Sequence, residues 1–370
     1  MRQLHLEGDG QAAASVATHD RRRLESIDAL RGIGIAAVVA LHTSWALLDR
    51  STIVSDAGRV LAAVHLGAAF GVPLFIGLSA FGLARRHDFR VEGAAAFANF
   101  LSRHALQLLP AYVVWSLLSA GLRDTALLAT PGRVLSLLID GSAGAQFYFV
   151  PTLFGLYLCW PLLGLLVPRR SHAARVALFA AGALMSLAVW QGTLPLAWTS
   201  PCSFAVYIAG GMAAALLTSP SRRACVYAMP FALLAAAVTL RIDVGRFIAT
   251  PMTSDKTMEL ASTIFQPVPA AYTCAAIAFL ALAVTLAAPS TALRWAAELG
   301  RSAYGVFLNH LLLLQFVVHP LLGGAIAADL SAASAVQRFA VEWAVTLAGS
   351  VAITRLLARS ARTRWLVGAG

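Results

Sequence analysis

Ile27-Asp28-Ala29-Leu30-Arg31-Gly32-Ile33-Gly34-Ile35-Ala36-Ala37-Val38-Val39-Ala40-Leu41-His42-Thr43-Ser44-Trp45 is apolar over most of its length and contains no proline. Such a stretch suits a bilayer-spanning helix, which needs about 20 predominantly apolar residues. Past its polar start, Arg31 and His42 interrupt it. They stand eleven positions apart. That spacing is about three turns plus ~20°, so the two side chains share one stripe, separated by roughly 16 Å of rise. An ionisable group inside a bilayer costs about 2.5–3.5 kcal/mol on insertion scales. Two on one stripe point to a use for them.

Composition extends this reading to the whole chain. The 370 residues are 59% hydrophobic and 12% charged, whereas soluble domains carry about 25% charged residues. There is too little polar surface to coat a water-soluble globule of this length. The net charge of +11 is almost wholly arginine, with Lys256 the lone lysine. The basic residues sit in short blocks between apolar runs, the pattern of membrane-flanking positive loops and not of a nucleic-acid surface. Cys159, Cys202, Cys225 and Cys274 lack C-x-x-C spacing and read as small hydrophobes, so no metal site is expected.

Ten apolar segments have spanning or near-spanning length: 27–48, 60–84, 100–121, 145–167, 174–190, 202–218, 224–240, 270–288, 299–322 and 336–357. With a cytoplasmic N-terminus, alternation through ten crossings places seventeen basic residues inside and eight outside. That asymmetry predicts both termini inside. The expected fold is an all-α polytopic transmembrane helix bundle of about ten spanning helices. A single membrane domain over 26–358 is flanked by a polar N-terminal tail, 1–25, and a basic C-terminal tail, 359–370. Two outer connections, 122–144 and 241–269, hold charges (Arg123, Asp124, Arg133 and Asp140; Arg241, Asp243, Arg246, Asp255, Lys256 and Glu259). They read as solvated loops or as borders of a polar substrate. Gln146-Phe147-Tyr148-Phe149 and Trp198 lie near outer helix ends, where aromatics usually anchor at the interface.

Asp28 and Arg31, spaced i, i+3, form either a helix-end ion pair or an anion anchor aligned by the carboxylate. His42 is a candidate general base or acyl-accepting nucleophile; either role requires a neutral imidazole, and the residues leave both open. His310, about ten residues into the ninth segment, reads by itself as a helix-packing hydrogen-bond donor. Glu342, flanked by Val341 and Trp343, is an intramembrane carboxylate, functional by default, with an arginine or histidine as expected partner; Arg338 lies one turn earlier.

Arg31-x10-His42 within Ser26-Ile27-Asp28-Ala29-Leu30-Arg31-Gly32 resembles the first-helix signature of the acyltransferase-3 family of integral-membrane O-acyltransferases. Three more stretches agree in order. Gly71-Val72-Pro73-Leu74-Phe75-Ile76-Gly77-Leu78-Ser79-Ala80-Phe81 is similar to the second helix. Phe100-Leu101-Ser102-Arg103-His104-Ala105-Leu106-Gln107-Leu108-Leu109-Pro110-Ala111-Tyr112 is similar to the basic segment before Leu-x-Pro-x-Tyr. Gly300-Arg301-Ser302-Ala303-Tyr304-Gly305-Val306-Phe307-Leu308-Asn309-His310 is similar to the late Ser-x5-Leu-x-His helix. His104 and Gln107 stand where relatives usually carry an Arg-x-x-Arg pair, and Ser79-Ala80 where Ser-Gly is common.

The resemblance implies a multi-pass enzyme of the bacterial inner membrane. It would move an acyl group, most simply acetyl, from cytoplasmic acyl-CoA to a sugar hydroxyl of a lipid-linked or exported glycan such as an exopolysaccharide. Acetyl-CoA is then a substrate, with no tightly bound cofactor. Its phosphates would meet Arg31, Arg85, Arg86 and Arg103, with His104 and Gln107 at the positions of the missing arginine pair. The thin pantetheine arm would pass through the bundle to His42, assisted by Arg31, Asp28, His310 and Glu342. Expected partners are acyl-CoA, a lipid-linked oligosaccharide or polysaccharide acceptor and membrane lipid. Nucleic acid is not expected, and a homo-oligomer is compatible with these features. The rival class is a secondary transporter or glycan flippase, which also carries buried charge but often shows two related halves; none are visible here. A membrane scaffold is the third reading.

Overall fold

The computed structural model describes residues 2–48, 55–86, 93–166, 171–196, 200–215, 221–249, 267–323 and 331–368, with side chains of the first helix described from Glu25. The described residues are helical, without strands. The helices are α1 (Arg2–Leu47), α2 (Asp56–Ala68), α3 (Gly71–Arg86), α4 (Gly93–Arg123), α5 (Pro131–Asp140), α6 (Phe149–Leu166) and α7 (His172–Trp190). They continue with α8 (Ala205–Ala215), α9 (Arg222–Ala249), α10 (Pro267–Leu286), α11 (Thr291–Arg301), α12 (Ala303–Leu313) and α13 (Ala332–Arg359). Among the described residues, eight helical runs are long and apolar enough to cross a membrane. The other two expected segments are the shorter apolar helices Phe149–Leu163 and Pro201–Ala215. The fold is thus the polytopic helix bundle the sequence predicts.

Four boundaries differ, each for a local reason. The run Asp56–Arg85 bends at a turn between α2 and α3, with Ser55 capping α2 through its hydroxyl. The ninth segment splits at Ser302, so residues 299–301 end a separate helix, α11, that bears Arg294, Glu298 and Arg301. Its polar residues keep it out of an apolar-run search. Region 122–144 is not an open loop: Thr130 caps α5, Pro131 occupies its first turn, and left-handed Gly141 ends it, the usual Pro-first, Gly-last asymmetry. α9 runs on to Ala249, so Arg241, Asp243 and Arg246 lie on helix. Asp255, Lys256, Glu259 and Trp198 lie outside the described residues.

Gln146, Phe147, Tyr148 and Phe149 are buried, not interfacial. Phe149 meets Phe307 with ring centroids 5.0 Å apart and Phe75 at 6.1 Å. These rings belong to the main core, with Ile35, Val38 and Val39 of α1.

Without water to expel, membrane helices gain by close packing, which favours small residues at contacts. α1 and α11 approach backbone to backbone. A Cβ on Gly32 would overlap the Ala296 carbonyl oxygen, and one on Gly300 the Asp28 carbonyl oxygen. α3 and α8 meet in the same way at Gly211 and the Gly77 carbonyl. After α13 the chain folds back. Trp115 of α4 donates its indole N–H to the Leu366 carbonyl at 2.8 Å, and Val367 is buried.

Gly300→Val should force α11 off α1 and lower the unfolding temperature of the purified protein, the overpacking cost being about 1–3 kcal/mol or more. Gly82→Ala, with nothing within 4 Å of the added carbon, should leave it unchanged or slightly higher. Equal melting of Gly300→Val and wild type would remove the close contact.

Candidate active site

α1, α2 and α12 bring three histidines together. His42 of α1 is half-buried, with part of its surface still accessible. The His310 ring of α12 faces it, the centroids 5.3 Å apart and the planes at 40°. The two expected partners of one cavity are therefore neighbours.

His310 is fully buried. Its Nδ1 lies 3.0 Å from the Val306 carbonyl and 2.9 Å from the Phe307 carbonyl. Carbonyl oxygens only accept, so Nδ1 carries the proton and donates. In the neutral ring Nε2 then holds a lone pair, and among the described residues it has no hydrogen-bond partner. A buried polar atom without a partner costs free energy; beside His42 it is a basic site held ready.

The third histidine, His65 of α2, is buried. Its Nδ1 donates to the Leu41 carbonyl at 3.1 Å, on the residue preceding His42. Ser44 lies 3.5 Å from the same nitrogen, and the Trp45 ring is 5.7 Å away. His65 is also within electrostatic reach of His42. It thus grips the turn of α1 that carries His42. Sequence reading passed over His65, although an ionisable residue inside an apolar run was its signal.

Glu342 is fully buried and bound on both oxygens. Arg338 Nε donates to Oε1 at 3.1 Å, and His319 Nδ1 lies 3.2 Å from Oε2. The expected arginine is present, and so is a histidine that the sequence reading did not single out. A π-helical turn, Leu314–Val318, comes just before His319; such bulges re-aim side chains. No described hydrogen bond joins Glu342 to His42. The next residue does reach α1: Trp343 donates its indole N–H to the Ala36 carbonyl at 3.0 Å.

At the other end of the stripe, Arg31 Nη1 lies 3.3 Å from Asp28 Oδ1, with the arginine side chain 46% exposed. The ion pair therefore leaves the guanidinium partly exposed. Tyr157 of α6 is within electrostatic reach of Arg31, and His104 packs on Tyr157 with centroids 4.4 Å apart. Two of the expected donor-site residues thus flank one tyrosine. Arg85, Arg103 and Gln107 are exposed; the Arg86 side chain lies outside the described residues. Between Arg31 and His42, Ile35 and Val38 are 0% and 2% exposed, so the stripe itself is packed shut. Among the described residues, no three His, Cys, Asp or Glu side chains form a metal-binding group.

The candidate site therefore consists of a half-buried imidazole beside a fully buried one, with a partly exposed arginine at the other end of the Arg31–His42 stripe. No curated protein and no solved structure matches the chain. The acyltransferase domain family matches residues 24–359, a span that takes in both ends of the stripe, the three histidines and the buried Glu342. The chain belongs to the acyltransferase-3 family and is a polytopic membrane acyltransferase.

Proposed function

We propose that the protein transfers an acetyl group from acyl-CoA to a sugar hydroxyl of a lipid-linked or exported glycan, with His42 as general base. The observation that carries this reading is His310 Nε2, a buried lone pair beside the His42 ring. A neighbouring base favours uptake of a proton at His42 over its acylation. In the proposed step His42 takes the hydroxyl proton while the sugar oxygen attacks the thioester carbonyl. The tetrahedral intermediate then collapses, the C–S bond breaks, and the thiolate leaves with the proton returned from His42. His310 shares the transient positive charge. His65 keeps the His42 turn in place through the Leu41 carbonyl.

Arg31 is the anchor for the anionic end of the donor. Its guanidinium is exposed yet aligned by Asp28, and charge-assisted contacts to phosphate are among the stronger hydrogen bonds. Membership in an acyltransferase family supports transfer chemistry over transport or flipping.

His42→Ala should lower acylation by about 10²–10⁴-fold, the usual worth of a positioned general base. Insertion and expression should be unchanged, with surface glycans read by mass spectrometry for the loss of one acetyl mass. Near wild-type acetylation would end the proposed role. Arg31→Ala should raise the acyl-CoA concentration needed for half-maximal rate more than it lowers the maximal rate. An unchanged donor dependence would take Arg31 out of the donor site.

A further inference from the structure

An open-sided groove of about 880 Å³ lies between α11 and α13. That volume lies within the range of ligand sites, about 300–1,000 Å³. Trp295 and Leu299 form one side, and Trp343, Leu347 and Val351 the other. Arg355 and Arg359 stand at one end. We propose that this groove binds an anionic phospholipid, its acyl chains lying along α13 and its phosphate between Arg355 and Arg359.

Three observations meet here. First, the walls are hydrocarbon and indole. Trp295 is 68% exposed and Leu356 65% exposed, a cost in water that acyl chains remove. Trp343 has already given its N–H to Ala36, so this wall offers little to a ligand rich in amides, such as the pantetheine arm of coenzyme A. Second, the charge is placed for a phosphate. Arg355 and Arg359 are one turn apart and share a face. Neither has an ion-pair partner among the described residues. Glu298, the one carboxylate in the lining, is paired with Arg301. Third, the order along the groove is that of a bilayer leaflet. Arginines and an exposed tryptophan mark the headgroup boundary, and the aliphatic length of α13 continues inward from it. The arginine-rich end of the bundle is the one on which anionic lipid exerts its pull.

Occupancy also has a structural consequence. The groove is walled by the two helices that hold α1, α11 through Gly300 and α13 through Trp343. A lipid wedged there presses both against α1. The site is independent of the reaction proposed above and can fail without it.

The test uses the full chain purified in mild detergent. Native mass spectrometry then counts retained lipid after titration with phosphatidylglycerol, phosphatidylcholine or undecaprenyl phosphate. Wild type should retain phosphatidylglycerol over phosphatidylcholine. The double variant Arg355→Gln/Arg359→Gln should lose that preference by about fivefold per arginine, the usual worth of a basic residue at an anionic surface. Arg222→Gln/Arg223→Gln, on exposed arginines of α9, should not. Ala348→Phe, which fills the groove from an exposed position, should lower retention with the arginines intact. This second variant decides the matter if the first fails to fold. Equal retention of both phospholipids, equal loss in the α9 variant, or unchanged retention in Ala348→Phe would each overturn the proposal. Preferred retention of undecaprenyl phosphate over phosphatidylglycerol would overturn it in favour of a polyprenyl carrier.

Discussion

The contact between Gly32 and Gly300 sets the geometry of the site. It fixes the register of α11 against the arginine end of α1, with the Asp28 carbonyl against Gly300 itself. A single residue, Ser302, separates α11 from α12, and α12 carries His310. The position of one imidazole relative to the other therefore follows from a backbone contact ten residues away on each chain segment. Two further holds act on α1 nearby. Gly71 of α3 lies against the Gly34 carbonyl, and Trp343 bonds to the Ala36 carbonyl. His65 adds a fourth at Leu41. A helix held at four successive levels presents His42 in one orientation, the fixed geometry that the proposed general base would need.

Most polar groups of the interior find partners, but several buried atoms among the described residues do not, including the Gln146 amide, Asn309 Oδ1, Thr346 Oγ1 and His310 Nε2. Glu342 has the Arg338 guanidinium on one oxygen and the His319 ring on the other. Removing Arg338 would leave the buried carboxylate without its paired guanidinium in an apolar medium, a strongly destabilising arrangement. Asn309 donates to Thr354 and Ser350 across α12 and α13. His310 spends its one proton on its own helix and leaves Nε2 bare. Unsatisfied groups of this kind concentrate where a protein does chemistry, since the ligand or transition state supplies the missing partner.

Much of this was legible in the residues. The spans follow from hydropathy because a bilayer leaves helices little freedom in length. The Asp28–Arg31 pair follows from helical spacing, and the partners of Glu342 from the cost of a lone buried charge. The His42–His310 encounter needed the family resemblance as well, since no spacing rule joins residues on separate helices. His65 and His319 had the same signal as Glu342, an ionisable group in an apolar run, and should have been read with it. The break at Ser302 had no such signal, and Gly32 and Gly300 look alike in the sequence whether they meet each other, a side chain or lipid. The burial of Phe149 likewise depends on Phe75 and Phe307 of two other helices, and Phe147 packs on Tyr112 of α4.

The packed stripe between Arg31 and His42 bears on how a donor at one face of a membrane could be used at depth. Ile35 and Val38 occupy the direct line between the two ends, both essentially without exposed surface. A permanently open passage there would connect two aqueous phases and leak ions. A bundle that serves a long, thin donor arm has to admit the arm and exclude water in its absence. Close-packed interiors do not deform continuously; they shift between discrete arrangements. In the proposed reaction, phosphates held at Arg31 would supply binding energy remote from the thioester, and that energy would have to part the aliphatic stripe. The separation of about three helical turns between cation and imidazole then has a physical purpose. It keeps the charged end of the donor at the aqueous boundary, where its solvation is cheap, and lets only the slender arm enter the interior.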